Sequence, residues 1–322
     1  MEAEFYLKQK SPEGPILPKN NFLRNLNTHK WLWLMALPGI AVVFVFNYLP
    51  MFGLILAFKD YKPRDGILGS KWVGFENFKY LFSTSDAWHI TYNTLFLNAL
   101  FIITGTVGGI LIALLINEVG KKWLIKFYQS AMFLPYFISW VIVSYFVYSL
   151  LSYEMGMVNH HLVNFGIQPV QWYQEPKLWP AILTIVNLWK GVGYGSVIYL
   201  AGIMGIDGEL YEAATIDGAS KLQQVRKITL PLLSPLIITL TLMSIGRIFF
   251  ADFGLFYNVT LDNGALYSTT NVIDTYVFRA LKYSGDVGMA SAAGFYQAFV
   301  GFLLVLASNL FVKKINPERA LF

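Results

Sequence analysis

The stretch Asn93–Asn117, NTLFLNALFIITGTVGGILIALLIN, runs for 25 residues without a charged side chain. A helix of about 20 such residues crosses the hydrocarbon core of a membrane, which is about 30 Å thick. Apolar and polar residues do not alternate along this stretch, as they would in a strand of a membrane barrel. It therefore predicts a membrane-spanning helix.

The rest of the sequence repeats this pattern. Of the 322 residues, 56% are hydrophobic and 13% are charged, which is about half the charged fraction of an average soluble protein. Lipid offers the backbone no hydrogen-bonding partners, so every such run should be helical. The sequence predicts an all-α membrane protein with six transmembrane helices, at Trp31–Phe58, Asn93–Asn117, Phe127–Leu151, Leu178–Gly205, Pro235–Tyr257 and Met289–Val312.

Lysine and arginine are unevenly distributed among the segments between these spans. With the N-terminus in the cytoplasm, the inner segments hold 14 of them and the outer loops 8, although the first outer loop alone carries five. Such an excess is typical of cytoplasmic segments. We expect both termini in the cytoplasm, with a tail at residues 1–30, one six-span domain at 31–317 and a short end at 318–322.

Residues that carry chemistry are sparse. The chain has no cysteine, which excludes disulfides, thiolate metal sites and cysteine nucleophiles. The adjacent His160 and His161 would point about 100° apart on a helix, and the sequence has no glycine-rich phosphate loop ending in Gly-Lys-Ser/Thr. We expect no catalytic residue, metal or cofactor in this chain. Its net charge of +5 needs no nucleic-acid partner, because lysine and arginine kept on the cytoplasmic side explain it.

The loop between the fourth and fifth spans, residues 206–231, contains residues typical of the two ends of a helix. Asp207 is a suitable N-cap, Glu209 lies favourably in the first turn, and Gly218 suits a left-handed C-terminal end. A second short helix is expected at Ser220–Ile228, after which Pro231 and Pro235 restart the chain into the fifth span. By these residues alone, the loop is either an ordinary connection or a docking element.

The same loop resembles the signature loop of permease subunits of binding-protein-dependent ABC importers. The matching positions are Glu212, Ala213, Ala214, Gly218, Ile228, Leu230 and Pro231. One feature departs from the pattern, since Val225 stands where many sugar permeases have phenylalanine. Other segments are similar to the carbohydrate branch of this family, among them Leu37–Gly39, Trp189–Lys190 and Gly288–Ala290. The ending Pro317–Phe322 is similar to a subgroup that imports larger oligosaccharides, some of them acidic.

The resemblance implies the fold of a type I ABC importer permease in the bacterial cytoplasmic membrane. It implies a second homologous permease, two ATP-binding subunits that hold ATP and Mg, an extracytoplasmic solute-binding protein and an oligosaccharide substrate. The loop 206–231 would be the cytoplasmic coupling element. The ATPase-coupling residues would be Glu212, Ala213, Ala214, Asp217, Gly218, Ile228 and Pro231. Two alternatives stay open: the same machinery importing an amino acid or peptide, and a polytopic membrane enzyme or sensor.

Polar residues inside the predicted spans are candidates for the substrate pathway. A charge within a bilayer is costly and should face protein or a water-filled cavity, and sugars bind aromatic faces together with hydroxyl and amide groups. The candidates are Asn187, Trp189, Lys190, Tyr194, Arg247 and Asp252. The alternatives are that Lys190 braces its helix and that Arg247 and Asp252 form an internal ion pair. Glycines at 191, 193 and 195 predict a bend in the fourth span.

Overall fold

A computed structural model describes residues 29–315 of the chain. The tail at 1–28 and the residues 316–322, with the ending that is similar to oligosaccharide permeases, lie outside this range. The chain divides into two units, one reaching Gly53 and one beginning at Leu54. This division coincides with neither of the proposed domain boundaries, 30/31 and 317/318, which stay predictions.

Helices account for nearly all of the regular structure in the described range. The α-helices are Lys30–Val43 (α1), Gly66–Gly69 (α2), Glu76–Ser83 (α3), Ser85–Asn117 (α4), Lys122–Phe137 (α5), Trp140–Leu151 (α6), Met157–Asn164 (α7), Trp179–Met204 (α8), Gly208–Ile216 (α9), Lys221–Gln224 (α10), Leu230–Ile245 (α11), Tyr267–Thr270 (α12), Ile273–Arg279 (α13) and Val287–Ile315 (α14). Wider π-helical turns occupy Phe44–Tyr48, Val225–Thr229, Leu255–Val259 and Ala280–Ser284, and 3₁₀ segments occupy Leu49–Phe58, Trp172–Gln174, Pro176–Leu178 and Gly264–Leu266. Two short antiparallel strands, Lys59–Asp60 (β1) and Lys71–Trp72 (β2), pair Lys59 with Trp72.

Five helical stretches are long and apolar enough to cross a membrane: Lys30–Phe58, Ser85–Asn117, Pro176–Met204, Lys221–Ile245 and Val287–Lys314. The pair α5 and α6 passes the same test when taken together. The prediction of an all-α membrane chain is confirmed, and the candidate spans number six when the bent pair is counted as the third span.

The third span is not the continuous helix predicted at Phe127–Leu151. Its two helices meet at an angle of 96°. Pro135 removes a backbone N–H near the end of α5, and Ile138 then adopts an extended conformation. The hydroxyl of Ser139 accepts a hydrogen bond from the N–H of Ile142 at 3.4 Å, which begins α6 as a newly capped helix.

The fifth span lies earlier than the predicted Pro235–Tyr257. Its helical stretch begins at Lys221, because Ser220 and Gln223 form a reciprocal capping box there. The helix continues through Pro231 and Pro235, so these prolines do not restart the chain as predicted. The span ends at Ile245, well before Tyr257.

The fourth span, α8, runs unbroken through the three glycines that predict a bend. Gly193 instead lets α5 approach closely, since a Cβ atom at this position would lie 1.9 Å from the carbonyl oxygen of Met132. A similar approach joins α8 to α4, where a Cβ on Gly109 would lie 3.1 Å from the ring of Tyr199. The predicted bend is not seen as a break in α8 and stays a prediction, and close helix packing explains Gly193.

Candidate transport pathway and loop helix

A cavity of about 610 Å³ opens between α4, α8, α11 and the turn that follows α11. Most of its lining is aliphatic or aromatic. Its polar lining residues are Asn98, Thr106, Asn187, Tyr194, Tyr199, Ser244 and Arg247. Amide, hydroxyl and aromatic groups around one cavity provide the contacts that bind small polar ligands with specificity. Three of the six predicted pathway residues, Asn187, Tyr194 and Arg247, are therefore brought together here.

Arg247 is the cation of this cavity. Its side chain is exposed and forms no hydrogen bond or ion pair with any described residue. An arginine near membrane depth is costly unless it meets water or an anion. Its guanidinium also suits bidentate contact with a carboxylate. The arrangement leaves this group free to bind an anionic ligand in the cavity.

Asp252 does not pair with Arg247, and the internal ion-pair hypothesis is wrong. One carboxylate oxygen, Oδ2, accepts a hydrogen bond from Nε1 of Trp140 at 2.8 Å. The other, Oδ1, accepts from the N–H groups of Gly254 at 2.9 Å and Leu255 at 3.3 Å. Asp252 therefore caps the chain before the π-helical turn and ties it to the start of α6.

Lys190 lies outside the cavity lining and is buried, with 9% of its surface exposed. Its Nζ donates hydrogen bonds to the carbonyl oxygens of Tyr136 at 2.7 Å and Pro135 at 3.4 Å. It also lies over the rings of Tyr136 and Trp140, 5.4 and 5.0 Å from their centroids. A cation at the C-terminal end of a helix satisfies carbonyls that have no partner in the helix. The interpretation of Lys190 as a brace fits this geometry better than contact with substrate.

We expect Lys190→Met to destabilise the bend between α5 and α6 by about 2 kcal/mol, because it leaves the Tyr136 carbonyl without its donor. In the importer that the resemblance implies, the relative stimulation of ATP hydrolysis by different oligosaccharides should not change. Thermal unfolding of the purified complex and a substrate series measured at one protein concentration check the two halves of this prediction. A change in substrate preference with unchanged stability would reverse the assignment.

Trp189, the remaining predicted pathway residue, also lies outside the cavity lining, with 45% of its surface exposed. Two aromatic residues of the bend, Tyr136 and Trp140, contact Lys190 and were missed by the sequence reasoning. Their aromatic character alone could not single them out, because aromatic residues make up 17% of the chain.

The predicted loop helix is present as α9. The Asp207 side chain accepts a hydrogen bond from the N–H of Glu209 at 3.0 Å, which makes it the N-cap. At the other end Gly218 has a φ of +77°, and the N–H of Ala219 donates to the carbonyl of Ala214 at 2.9 Å. These bonds form a Schellman ending, which requires the left-handed residue.

The exposed surface of α9 combines acidic and apolar side chains. Glu212, Ala213 and Asp217 are exposed, and Ile216 has 86% of its surface exposed. These side chains offer a partner protein both carboxylates and one apolar contact. The other predicted coupling residues vary: Ala214 and Ile228 are half-buried, and Gly218 and Pro231 are exposed.

Two hydrogen bonds tie α9 to the start of the fifth span. The hydroxyl groups of Tyr211 and Thr229 lie 2.9 Å apart, and Nε2 of the buried Gln224 donates to Oγ1 of Thr215 at 2.9 Å. A displacement of α9 would therefore be passed directly to the helical stretch that continues into α11.

Comparison with known proteins places the chain among transport proteins. Residues 105–317 match the family described as binding-protein-dependent transport system inner membrane component. The chain is 36% identical over 300 residues to the polygalacturonan/rhamnogalacturonan transport system permease protein YteP of Bacillus subtilis (strain 168), covering 93% of each protein.

Solved structures give the same picture of the fold. The crystal structure of a bacterial ABC transporter involved in the import of the acidic polysaccharide alginate contains a similar chain. That chain has a TM-score of 0.83 and 35% identity, with coverage of 92% of this chain and 99% of the other. A crystal structure of a bacterial alginate ABC transporter in complex with an alginate pentasaccharide-bound periplasmic protein contains another similar chain. The TM-score is 0.82 and the identity 35%, with coverage of 91% and 97%.

Proposed function

The chain belongs to the family of binding-protein-dependent transport system inner membrane components, and from this membership we propose that it is one permease subunit of an ATP-driven importer of acidic oligosaccharides. The free guanidinium of Arg247 in the cavity is the observation that carries the acidic part of this proposal. The names of its relatives support the oligosaccharide part, because they describe transport of polygalacturonan, rhamnogalacturonan and alginate.

In the proposed cycle the cavity binds a short run of sugar residues, and the importer moves it across the membrane by alternating access. Hydroxyl groups of the sugar would meet Asn187 and Ser244, and a ring would lie against Tyr194, while a uronic-acid carboxylate would meet Arg247. Charge-assisted bidentate hydrogen bonds are about twice as strong as neutral ones. Arg247 would therefore decide the preference for acidic over neutral cargo.

The proposed assembly contains a second permease subunit, two ATP-binding subunits and a solute-binding protein outside the membrane. ATP and Mg would be held by the ATP-binding subunits. α9 would dock on one of them through Glu212, Ile216 and Asp217, which offer carboxylates and an apolar side chain to a groove with basic residues. Movement of that subunit would pull α9 and, through it, the fifth span.

We further propose that both termini and the 206–231 loop face the cytoplasm of the bacterium. The excess of lysine and arginine in these segments supports this orientation. It puts α9 on the side where ATP is available and the segment 152–177 on the side of the solute-binding protein.

Replacement of Arg247 by glutamine tests the acidic cargo. In the reconstituted complex with its binding protein, uronic-acid oligosaccharides should stimulate ATP hydrolysis. The variant should need about tenfold more acidic oligosaccharide for half-maximal stimulation, because it loses a charge-assisted contact. For neutral oligosaccharides of the same length, the concentration needed for half-maximal stimulation should change by less than about twofold, since uncharged groups do not require the guanidinium.

Arg247→Lys is the matched control, because it keeps the positive charge while it loses the planar fork. It should fall between the wild type and Arg247→Gln with acidic cargo. The proposal is wrong if neutral oligosaccharides alone stimulate the wild type, or if Arg247→Gln weakens stimulation by both cargoes equally.

A further inference from the structure

The chain leaves its helical conformation immediately after the fifth span. α11 ends at Ile245, and residues 246–252 continue as turns and irregular chain. Backbone groups freed from a helix must find other partners when they are buried within a membrane protein. One partner comes from α4, where Nδ2 of the buried Asn98 donates to the carbonyl oxygen of Ile248 at 2.8 Å.

Two other elements hold the same turn. Nε2 of Gln297 on α14 donates to the carbonyl oxygen of Phe249 at 2.6 Å. The same nitrogen donates to Oδ2 of Asp274 on α13 at 3.0 Å. Oδ2 of Asp274 also accepts from the N–H of Ala251 at 2.8 Å. One carboxylate oxygen and one amide nitrogen thus fix an acceptor and a donor two residues apart.

Gln297 is buried and Asp274 is half-buried. Only 6% of the surface of Gln297 is exposed. Burial raises the pKa of the Asp274 carboxyl, while the hydrogen bonds from Ala251 and Gln297 act in the opposite direction. Hydrogen bonds in such surroundings are costly to lose, because the group that remains cannot turn to water.

Arg247 belongs to the turn that these residues hold. It directly precedes Ile248, lines the cavity and has no partner among the described side chains. No contact of its own head group therefore sets the place of the guanidinium in the described part of the chain. The backbone that carries it is fixed on its C-terminal side by Asn98, Gln297 and Asp274.

We propose that Gln297 and Asp274 are positioning residues for charge recognition: they hold the turn at 246–252 so that Arg247 enters the cavity, although neither of them lines it. Asn98 acts on the same turn but also lines the cavity, so its substitution would not separate positioning from direct contact. The inference rests on the proposed role of Arg247, and its test includes one measurement that does not depend on cargo.

The natural absence of cysteine from this chain permits that measurement. Arg247→Cys creates the one thiol of the chain, and its rate of reaction with a water-soluble maleimide reports how the position meets the cavity. The rate is measured on assembled complexes of three chains: Arg247→Cys alone, Arg247→Cys with Gln297→Met, and Arg247→Cys with Gly294→Ala. Gly294 is the matched control, because it lies on the same helix and a Cβ there would meet no atom within 4 Å.

Gln297→Met should change the labelling rate by about tenfold, because loss of a buried hydrogen bond shifts the turn between conformations by that order. Gly294→Ala should leave the rate within about twofold of the parent. Asp274→Ala provides a second variant, which acts on the turn through Ala251 and should change the rate in the same direction. If Gln297→Met does not assemble, the result for Asp274→Ala decides alone. Unchanged labelling in every positioning variant that assembles overturns the inference.

The second measurement concerns cargo and uses chains that keep Arg247. Gln297→Met should raise the concentration of acidic oligosaccharide that gives half-maximal ATPase stimulation by about tenfold. The double variant with Arg247→Gln should be no worse than Arg247→Gln alone, because residues that act through one another are not additive. Additive losses contradict positioning. A changed labelling rate in a complex without preference for acidic cargo instead refutes the proposed cargo and leaves the positioning intact.

Discussion

Replacement of Gly193 by alanine is expected to prevent stable assembly of the third and fourth spans. The added Cβ would lie 1.9 Å from the carbonyl oxygen of Met132 and 2.4 Å from its carbonyl carbon. The obstacle is backbone, so no side-chain rotation relieves it, and α5 and α8 must separate. Overpacking of this kind costs about 3 kcal/mol or more. We expect little folded protein after detergent extraction, measured by size-exclusion chromatography and thermal unfolding.

Gly191→Ala is the matched control for this prediction. It lies on the same helix two residues earlier, and a Cβ there would meet no atom within 4 Å. Alanine is the better helix former by about 1 kcal/mol, so this variant should be as stable as the parent or slightly more so. Equal yields and unfolding temperatures for the two alanine variants would show that the helices do not approach as closely as described.

The six spans could be predicted because each apolar run is long enough to cross a bilayer, but the internal geometry of two of them could not. Hydropathy continues through Ile138 and Ser139, where the third span bends by 96°. It also continues through Phe249 and Phe250, beyond the true end of the fifth span at Ile245. Apolar composition reports the environment of a segment rather than the path of its backbone.

The loop helix was predicted with its cap and its ending, because Asp207 and Gly218 act on neighbours in the sequence. Its resemblance to the importer family is confirmed by the match over residues 105–317. The lining of the cavity could not be predicted in the same way, because it depends on contacts between residues far apart in the sequence. The alternative of an ion pair between Arg247 and Asp252 is wrong, because Trp140, from another span, binds the carboxylate. Similarly, no spacing in the sequence indicated that Lys190 would reach the end of α5.

The substitution Gly218→Val should weaken the docking of α9 and with it the stimulation of ATP hydrolysis by substrate. At a φ of +77° a β-branched residue is strained, although a Cβ there would meet no atom within 4 Å. The strain, about 1 to 2 kcal/mol or more, acts on the Schellman ending and should displace the last turn of α9, which carries Ile216. We expect substrate-stimulated ATPase activity to fall about tenfold, since about 1.4 kcal/mol lost from docking has that effect.

Two controls separate conformation from bulk at this position. Gly218→Asn should retain most of the coupling, because asparagine tolerates the left-handed conformation. Gly208→Val adds the same side chain to the same helix at a glycine whose φ is not positive and which has open space around it. It should also retain coupling. All three variants should insert into the membrane. Gly218→Asn and Gly208→Val should unfold thermally within about 1 kcal/mol of the parent, because the loop contributes little to the packing between spans. Gly218→Val should lose only about the free energy of its backbone strain.

Glu212→Ala tests the charge of the same surface without strain, since alanine favours the helix. Loss of coupling in both Glu212→Ala and Gly218→Val, with Gly218→Asn active, would assign the docking function to an α9 that needs both its carboxylate and its ending. Normal coupling in Gly218→Val would contradict the proposal, because a displaced last turn could not then be part of the contact that transmits ATP-driven motion to the fifth span through Tyr211 and Thr229.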